Sequence, residues 1–236
     1  MKFLKQKKGF TLAEILIASA ILSFFALGFA QITLLVQRMA FDSQGKIEVT
    51  ENIRKFTSHI SRDARPARVM LVYQGMPSVP ADLNTSERLA DGQTGDLAVF
   101  VHAIPQPINE VNPGEPQQFY LSRVIAYARI PGSEGQGPVV RFERRLIEAN
   151  TLLVDIDPGE TLSIADNQTI NQILAEMLID GQAQRREVVE LSRGLANGRL
   201  FYFFRDSALV INGEIVQGNR VRRVTNTYNF TVNRQG

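Results

Sequence analysis

The sequence predicts an α+β chain in which a long N-terminal hydrophobic helix packs on an antiparallel β-sheet domain. Three observations predict it. Between Lys8 and Arg38 the only charged residue is Glu14, in a run dominated by Leu, Ile, Phe, Ala and Val. Next, Ile53, Phe56, Ile60 and Ala64 recur at three and four residues among polar neighbours, the spacing of a helix laid on a core. Beyond Pro66, short runs rich in Val, Ile, Phe and Tyr alternate with polar segments rich in Pro and Gly. One helix followed by many strands is an α+β order.

The apolar run from Phe10 to Val36 makes a helix of roughly 40 Å at 1.5 Å per residue, against a hydrocarbon core of about 30 Å. It is long enough to span a bilayer. Lys2, Lys5, Lys7 and Lys8 precede it and only Arg38 and Asp42 closely follow, so the positive-inside rule leaves the N-terminus in the cytoplasm and the C-terminal domain outside. A cleaved signal peptide is one reading, with Ala18-Ser19-Ala20 as an A-x-A site. Cleavage there would start a soluble protein on the apolar stretch Ile21 to Val36, which transfer energetics disfavour. A plain single-pass anchor gives no reason for the carboxylate of Glu14, and ionisable groups inside spans are usually functional.

The span runs on into the amphipathic segment without a linker, so Phe10 to Asp63 forms one helix roughly 80 Å long. Gly28 and Gly45 are its weak points, each costing about 1 kcal/mol relative to Ala. Pro66 ends it. Strands are expected at Val69 to Tyr73, Leu97 to Ala103, Arg123 to Ile130, Val139 to Leu146, Leu152 to Ile156, Leu200 to Arg205, Ala208 to Ile211, Glu214 to Gln217 and Tyr228 to Val232. Asn212-Gly213 reads as a tight hairpin turn. The segments Pro77 to Gly95, Pro105 to Gln118 and Gly132 to Pro138 read as loops. One interior helix is expected from Gln168 to Ile179, capped by Asp166 or Asn167, with Ile170, Ile173, Leu174 and Met177 on its buried face.

The run Lys8-Gly9-Phe10-Thr11-Leu12-Ala13-Glu14-Ile15-Leu16-Ile17-Ala18 resembles the processing and methylation signature of type IV prepilins and of type II secretion pseudopilins. The resemblance implies a leader peptide at 1–9, cut between Gly9 and Phe10 by a membrane aspartic peptidase that also methylates the Phe10 amine. It implies that Glu14, at the fifth mature position, serves assembly. The domain organisation follows: leader 1–9, transmembrane and filament-core helix 10–37, amphipathic continuation 38–66 and β-rich globular domain 67–236. Loss of the four leader lysines turns the side-chain charge from +2 to about −2, so a basic precursor does not imply nucleic acid. Family members usually carry a helix-weakening proline within the membrane segment; here that role falls, if anywhere, to Gly28. The globular part is similar, less specifically, to the J-type minor pseudopilin and the W-type minor pilin, through Arg62-Asp63-Ala64-Arg65, the strand pair Tyr127 to Ile130 and Val140 to Arg145, and its size. The partners implied are other pilins or pseudopilins, the prepilin peptidase and the inner membrane, with a secreted substrate or DNA as further candidates.

Composition narrows the chemistry. The absence of cysteine removes disulfides, thiol nucleophiles and zinc-thiolate sites. His59 belongs to a solvated helix face near Arg62 and Asp63, and His102 to a strand with no G-x-S-x-G turn to serve. No phosphate-binding or dinucleotide fingerprint occurs. The sequence therefore points to a structural protein with no cofactor. Asp155, Asp157 and Glu160 resemble the start of a calcium loop, but Pro158 and the missing further ligands favour a polar turn. The pairs Arg144-Arg145, Arg185-Arg186 and Arg222-Arg223 could trace a DNA path, although strand rims are the plainer reading. Asn84, Asn167 and Asn229 each begin an N-x-[ST] triplet, a weak pattern in a bacterial protein. The expectation is a minor pilin-like subunit of a type IV pilus or type II secretion pseudopilus, near the filament tip as a priming component. The alternative is a membrane-anchored adhesin or DNA-binding module.

Overall fold

A computed structural model describes residues 11–84, 87–105, 119–132, 135–146, 153–154, 164–204, 208–218 and 223–233. The chain divides into two compact units, residues 1–45 and 46–236. Helix α1 runs from Leu12 to Ala64, continuous through Gly28 and Gly45, and stops two residues before Pro66. Its first part is exposed all round, with Leu12, Phe24 and Phe29 each at least 75 % accessible. Ser19, Ser23 and Thr33 donate their hydroxyls to carbonyls three or four residues back. Polar side chains satisfied in this way are compatible with an apolar environment.

Among the described residues the second unit is a layered α/β/α arrangement around ten antiparallel strands. They are β1 (Val69–Tyr73), β2 (Thr94–Gly95), β3 (Leu97–Pro105), β4 (Phe119–Arg129), β5 (Gln136–Arg145), β6 (Leu153–Val154), β7 (Gln184–Gly194), β8 (Phe201–Phe204), β9 (Ala208–Gly218) and β10 (Arg223–Asn233). The spatial order is β1-β3-β4-β5-β7-β9-β8-β2, with β10 on the other edge of β9 and β6 on β4. Successive residues of each strand face opposite layers. On one face Met70, Val72, Ala98, Phe100, Ile125 and Tyr127 meet Val49, Phe56, Ile60 and Ala64 of α1. On the other, Leu71, Val99, Val101, Val124 and Ala126 meet Ile170, Ile173, Leu174 and Met177 of α2 (Ile164–Leu178).

Phe56 is the hub of the first core. Its ring lies 6.1 Å from Tyr127, 6.0 Å from Tyr228 and 5.9 Å from Phe230, centroid to centroid. Burying a side chain of this size contributes about 1.5–3 kcal/mol, with a further 0.5–1.5 kcal/mol from each well-placed aromatic pair.

Several expectations need correction. Asn212-Gly213 is no hairpin turn but the middle of β9, where Asn212 pairs with Asn229 and Gly213 with Tyr228. The tight Asn-Gly turn is Asn197-Gly198, with φ of 54° and 77° and mutual backbone bonds between Ala196 and Arg199. That turn is an excursion from one edge of β9: Leu195 N–H donates to Asn212 O on one side, and Asn212 N–H donates to Leu200 O on the other. A Cβ on Gly213 would stand 2.6 Å from the Tyr228 hydroxyl and 2.7 Å from Leu200 Cδ1, so that glycine makes room for tertiary contacts rather than for a turn.

Helix α2 begins four residues earlier than expected, which puts Asp166 and Asn167 inside its first turn rather than before it. Residue types suited to capping also suit a first turn, where the helix dipole favours acidic groups. The segment Pro77 to Gly95 is not a projecting loop. It contains a 3₁₀ turn at Pro80–Leu83 that buries Leu83, and its end pairs as β2 with β8. Strand β7, where Arg185, Arg186 and Glu187 break the apolar alternation, is an addition to the expected list.

Candidate functional site

The N-terminus of α1 is built by four residues, Thr11-Leu12-Ala13-Glu14. Thr11 precedes the first helical residue and Glu14 stands three positions on, the spacing of a capping box. The Thr11 backbone N–H donates to Glu14 Oε2 at 2.9 Å, and the Glu14 N–H donates to Thr11 Oγ1 at 3.3 Å. The Thr11 hydroxyl also donates to the same carboxylate oxygen, at 3.0 Å. Glu14 thus has a partner within its own chain, satisfying N–H groups that a helix start leaves open. Its side chain remains exposed. The Thr-x-x-Glu spacing before an apolar run carries this signal in the sequence itself.

Gly9, Phe10 and the leader lysines Lys2, Lys5, Lys7 and Lys8 lie outside the described residues, as do Asp155, Asp157 and Glu160. Among the described residues no group of three or more His, Asp or Glu side chains is placed to hold a metal ion.

In the second unit the last turn of α1 is fastened to the sheet by charge. Asp63 Oδ2 accepts Arg141 Nε–H at 2.7 Å and the Tyr127 hydroxyl at 2.8 Å. Burial pushes the Asp63 carboxyl up, yet these hydrogen bonds and the charges of Arg141 and Arg62 outweigh it and hold the group below the usual carboxylate range. Arg141 continues to Glu143 at 2.6 Å, and Glu143 also accepts Arg145 at 2.9 Å. A second buried cluster pins the Asn197-Gly198 turn: Asp96 accepts Arg129 through both oxygens at 2.7 Å and Arg199 at 2.9 Å, while Arg129 also donates to Gly198 O.

The two histidines are accounted for by their surroundings. His59 Nδ1 lies 3.2 Å from Arg62 Nη2 on the helix surface. His102 is buried beside Arg123, and burial first, then that guanidinium, depresses it to about 4. The arginine pairs do not make one path. Arg144 turns to Glu176 of α2 on one face of the sheet, whereas Arg145, Arg185 and Arg186 line a cleft beside the end of α1. Arg222 lies outside the described residues.

Residues 4–30 match the family described as the prokaryotic N-terminal methylation motif. No curated protein and no solved structure shows significant similarity to the chain. The chain carries a prepilin-type cleavage and methylation motif at the start of a long helix, apolar enough in its first part to cross a membrane, whose last part packs on a β-sheet domain.

Proposed function

We propose that the chain is a minor pilin or pseudopilin, a structural and non-enzymatic subunit. It is cut between Gly9 and Phe10 on the cytoplasmic side, methylated on Phe10, held by a single span with its globular domain outside the inner membrane, and assembled through its N-terminal helix into a type IV pilus or a type II secretion pseudopilus. The observation that carries this reading is the methylation motif over residues 4–30, which continues into a helix whose apolar first part is unburied by its own chain. An exposed apolar surface of that extent requires lipid or neighbouring helices.

The finer position, near the tip as a priming component, rests on bulk. About 195 residues follow Arg38 and its immediate neighbours, from Asp42 to Gly236. A domain of that size crowds lateral copies along a thin shaft more than at an end. Two measurements test the proposal. Intact-mass analysis from cells with an active prepilin peptidase should find a mature N-terminus at methylated Phe10; a chain starting at Met1 or Ile21 would refute the maturation. Quantitative mass spectrometry of sheared filaments should find a few copies per filament, with filament number falling on deletion; this chain as the dominant filament protein would refute the minor role.

A further inference from the structure

A cleft of about 520 Å³ opens beside the last turns of α1, lined among others by His59, Arg62, Arg123, Arg145, Arg185 and Arg186. Its floor is the Arg141–Glu143 pair. Among the described residues, the carboxylates beside these cations are already engaged. Asp63 is held by Arg141 and Tyr127, with Arg62 Nε 3.5 Å away. Glu143 is held by Arg141 and Arg145, with Arg123 at 3.8 Å. Arg185 and Arg186 are exposed and form no ion pair among the described residues. Among the described residues the cleft therefore carries an excess of positive charge. His59 registers that field: burial, then the charges of Arg62 and Arg186, hold its imidazole below the usual range.

A second observation says what shape of anion fits. Strand β7 pairs with β5 from Gln184 to Arg193, but β9 joins its other edge only at Ser192, Arg193 and Gly194. No described strand pairs with residues 184–191 on that side. Backbone N–H and C=O groups along such an edge are a template for another strand. Cross-strand partners share a face, so Arg186 opposite Arg141 and Gln184 opposite Glu143 look into the cleft, Arg185 opposite Phe142 starts from the other face at its rim, and the edge beside them is unpaired among the described strands. Nucleic acid would satisfy the charges but not the edge; a peptide backbone satisfies the edge, and carboxylates at alternate positions reach the cleft.

We propose that this cleft receives an acidic, extended segment of another protein, which adds as a strand to the free edge of β7 and sets its carboxylates against Arg62, Arg145 and Arg186. All the residues involved belong to the second compact unit, so the inference is independent of the filament reading.

Fluorescence polarisation on the full-length chain in detergent micelles tests it. The probe is a fluorescein-labelled peptide of alternating glutamate and valine; the controls are the same peptide with every backbone N–H methylated, and an oligodeoxythymidylate of equal charge. The plain peptide should bind saturably and slow amide hydrogen exchange at residues 184–191. The N-methylated peptide and the oligonucleotide should each bind at least about tenfold more weakly, and Arg185→Glu with Arg186→Glu should weaken the plain peptide by a similar factor. The milder Arg185→Gln with Arg186→Gln should fall between and guards against a folding defect, although both side chains are exposed. Absence of saturable binding, equal binding of either control, or indifference to both double variants would overturn the proposal.

Discussion

The carboxylate of Asp63, one residue from the end of α1, accepts a 2.7 Å hydrogen bond from Arg141 Nε in the middle of β5, across 78 residues of sequence. Both groups are buried, and Tyr127 completes the coordination of the acid. Removing one partner of such a pair leaves an uncompensated charge, at a cost of about 3–5 kcal/mol. Asp63→Ala should therefore lower the melting temperature by on the order of 10 °C, read as loss of the β-sheet circular dichroism of the full chain in detergent. Asp63→Leu combined with Arg141→Met and Glu143→Gln, which removes all three charges of the cluster, should recover part of that loss. Equal stability of Asp63→Ala and the natural chain would mean that packing around Phe56 holds the helix on the sheet without this pair.

Acid should destabilise the globular part in two steps. His102 has a folded value of about 4 against an ordinary 6.5, because burial and then Arg123 disfavour its charged form. The unfolded chain thus takes up a proton at higher pH than the folded chain, and stability present above pH 6.5 falls as the pH approaches 4, by on the order of 3 kcal/mol. The second step lies below the ordinary carboxylate range, as Asp63 and Glu143, whose folded values are depressed, become protonated. His102→Leu should reduce the slope of melting temperature against pH between about 6.5 and 4, leaving the share from His59, whose imidazole is also held below its usual range, and the steeper fall below it. An unchanged profile would place the first step elsewhere.

Two glycines that each follow an asparagine should respond in opposite order to what a turn reading implies. Gly198 sits at φ 77°, and a Cβ added there would meet nothing within 4 Å, so Gly198→Ala costs only the backbone strain, about 1 kcal/mol. Gly213 lacks space instead, with Tyr228 and Leu200 in the way. Gly213→Val should cost more, roughly 1–3 kcal/mol from overpacking alone. Denaturant titration of the two variants ranks them, and a larger loss at Gly198 would contradict this account.

What could be read from the chain follows the range of the interactions. Helix α1, expected from Phe10 to Asp63 and found from Leu12 to Ala64, is legible because hydropathy, helical spacing and Pro66 all act locally. Strand β1 is found where it is expected, and β3, β4 and β5 lie over their expected cores, because buried central strands are nearly continuous in Val, Ile, Leu and Phe. Strand β7 is not legible, since its exposed half carries Arg185, Arg186 and Glu187 on an edge that needs no apolar alternation. The two Asn-Gly pairs look alike locally; only the arrival of Tyr228 and Leu200 beside Gly213 separates them. The Thr11–Glu14 capping box is written in the sequence, whereas the basic cleft brings together residues from α1, β4, β5 and β7 and has no local signature.

Glu14 has two competing uses, and three substitutions separate them. Within the chain it caps its own helix through Thr11; in the proposed filament its charge neutralises the Phe10 amine of a neighbouring subunit. Thr11→Ala removes the hydroxyl half of the cap, at about 1 kcal/mol, and leaves the charge. Glu14→Gln keeps a side chain able to accept from the Thr11 N–H, as glutamine does at this position of a capping box, but removes the charge. Glu14→Val removes both. If charge pairing drives assembly, Glu14→Gln and Glu14→Val should each lower the amount of this chain in sheared filaments by about tenfold or more while remaining inserted and cleaved, and Thr11→Ala should assemble near the natural level. That factor corresponds to about 1.4 kcal/mol, less than the full cost of breaking a buried pair, so it is a minimum. Quantitative immunoblotting of the filament fraction against the membrane fraction reads the outcome. Normal incorporation of Glu14→Gln alongside poor incorporation of Thr11→Ala would assign Glu14 to capping its own helix, and the partner for the Phe10 amine would have to be sought elsewhere.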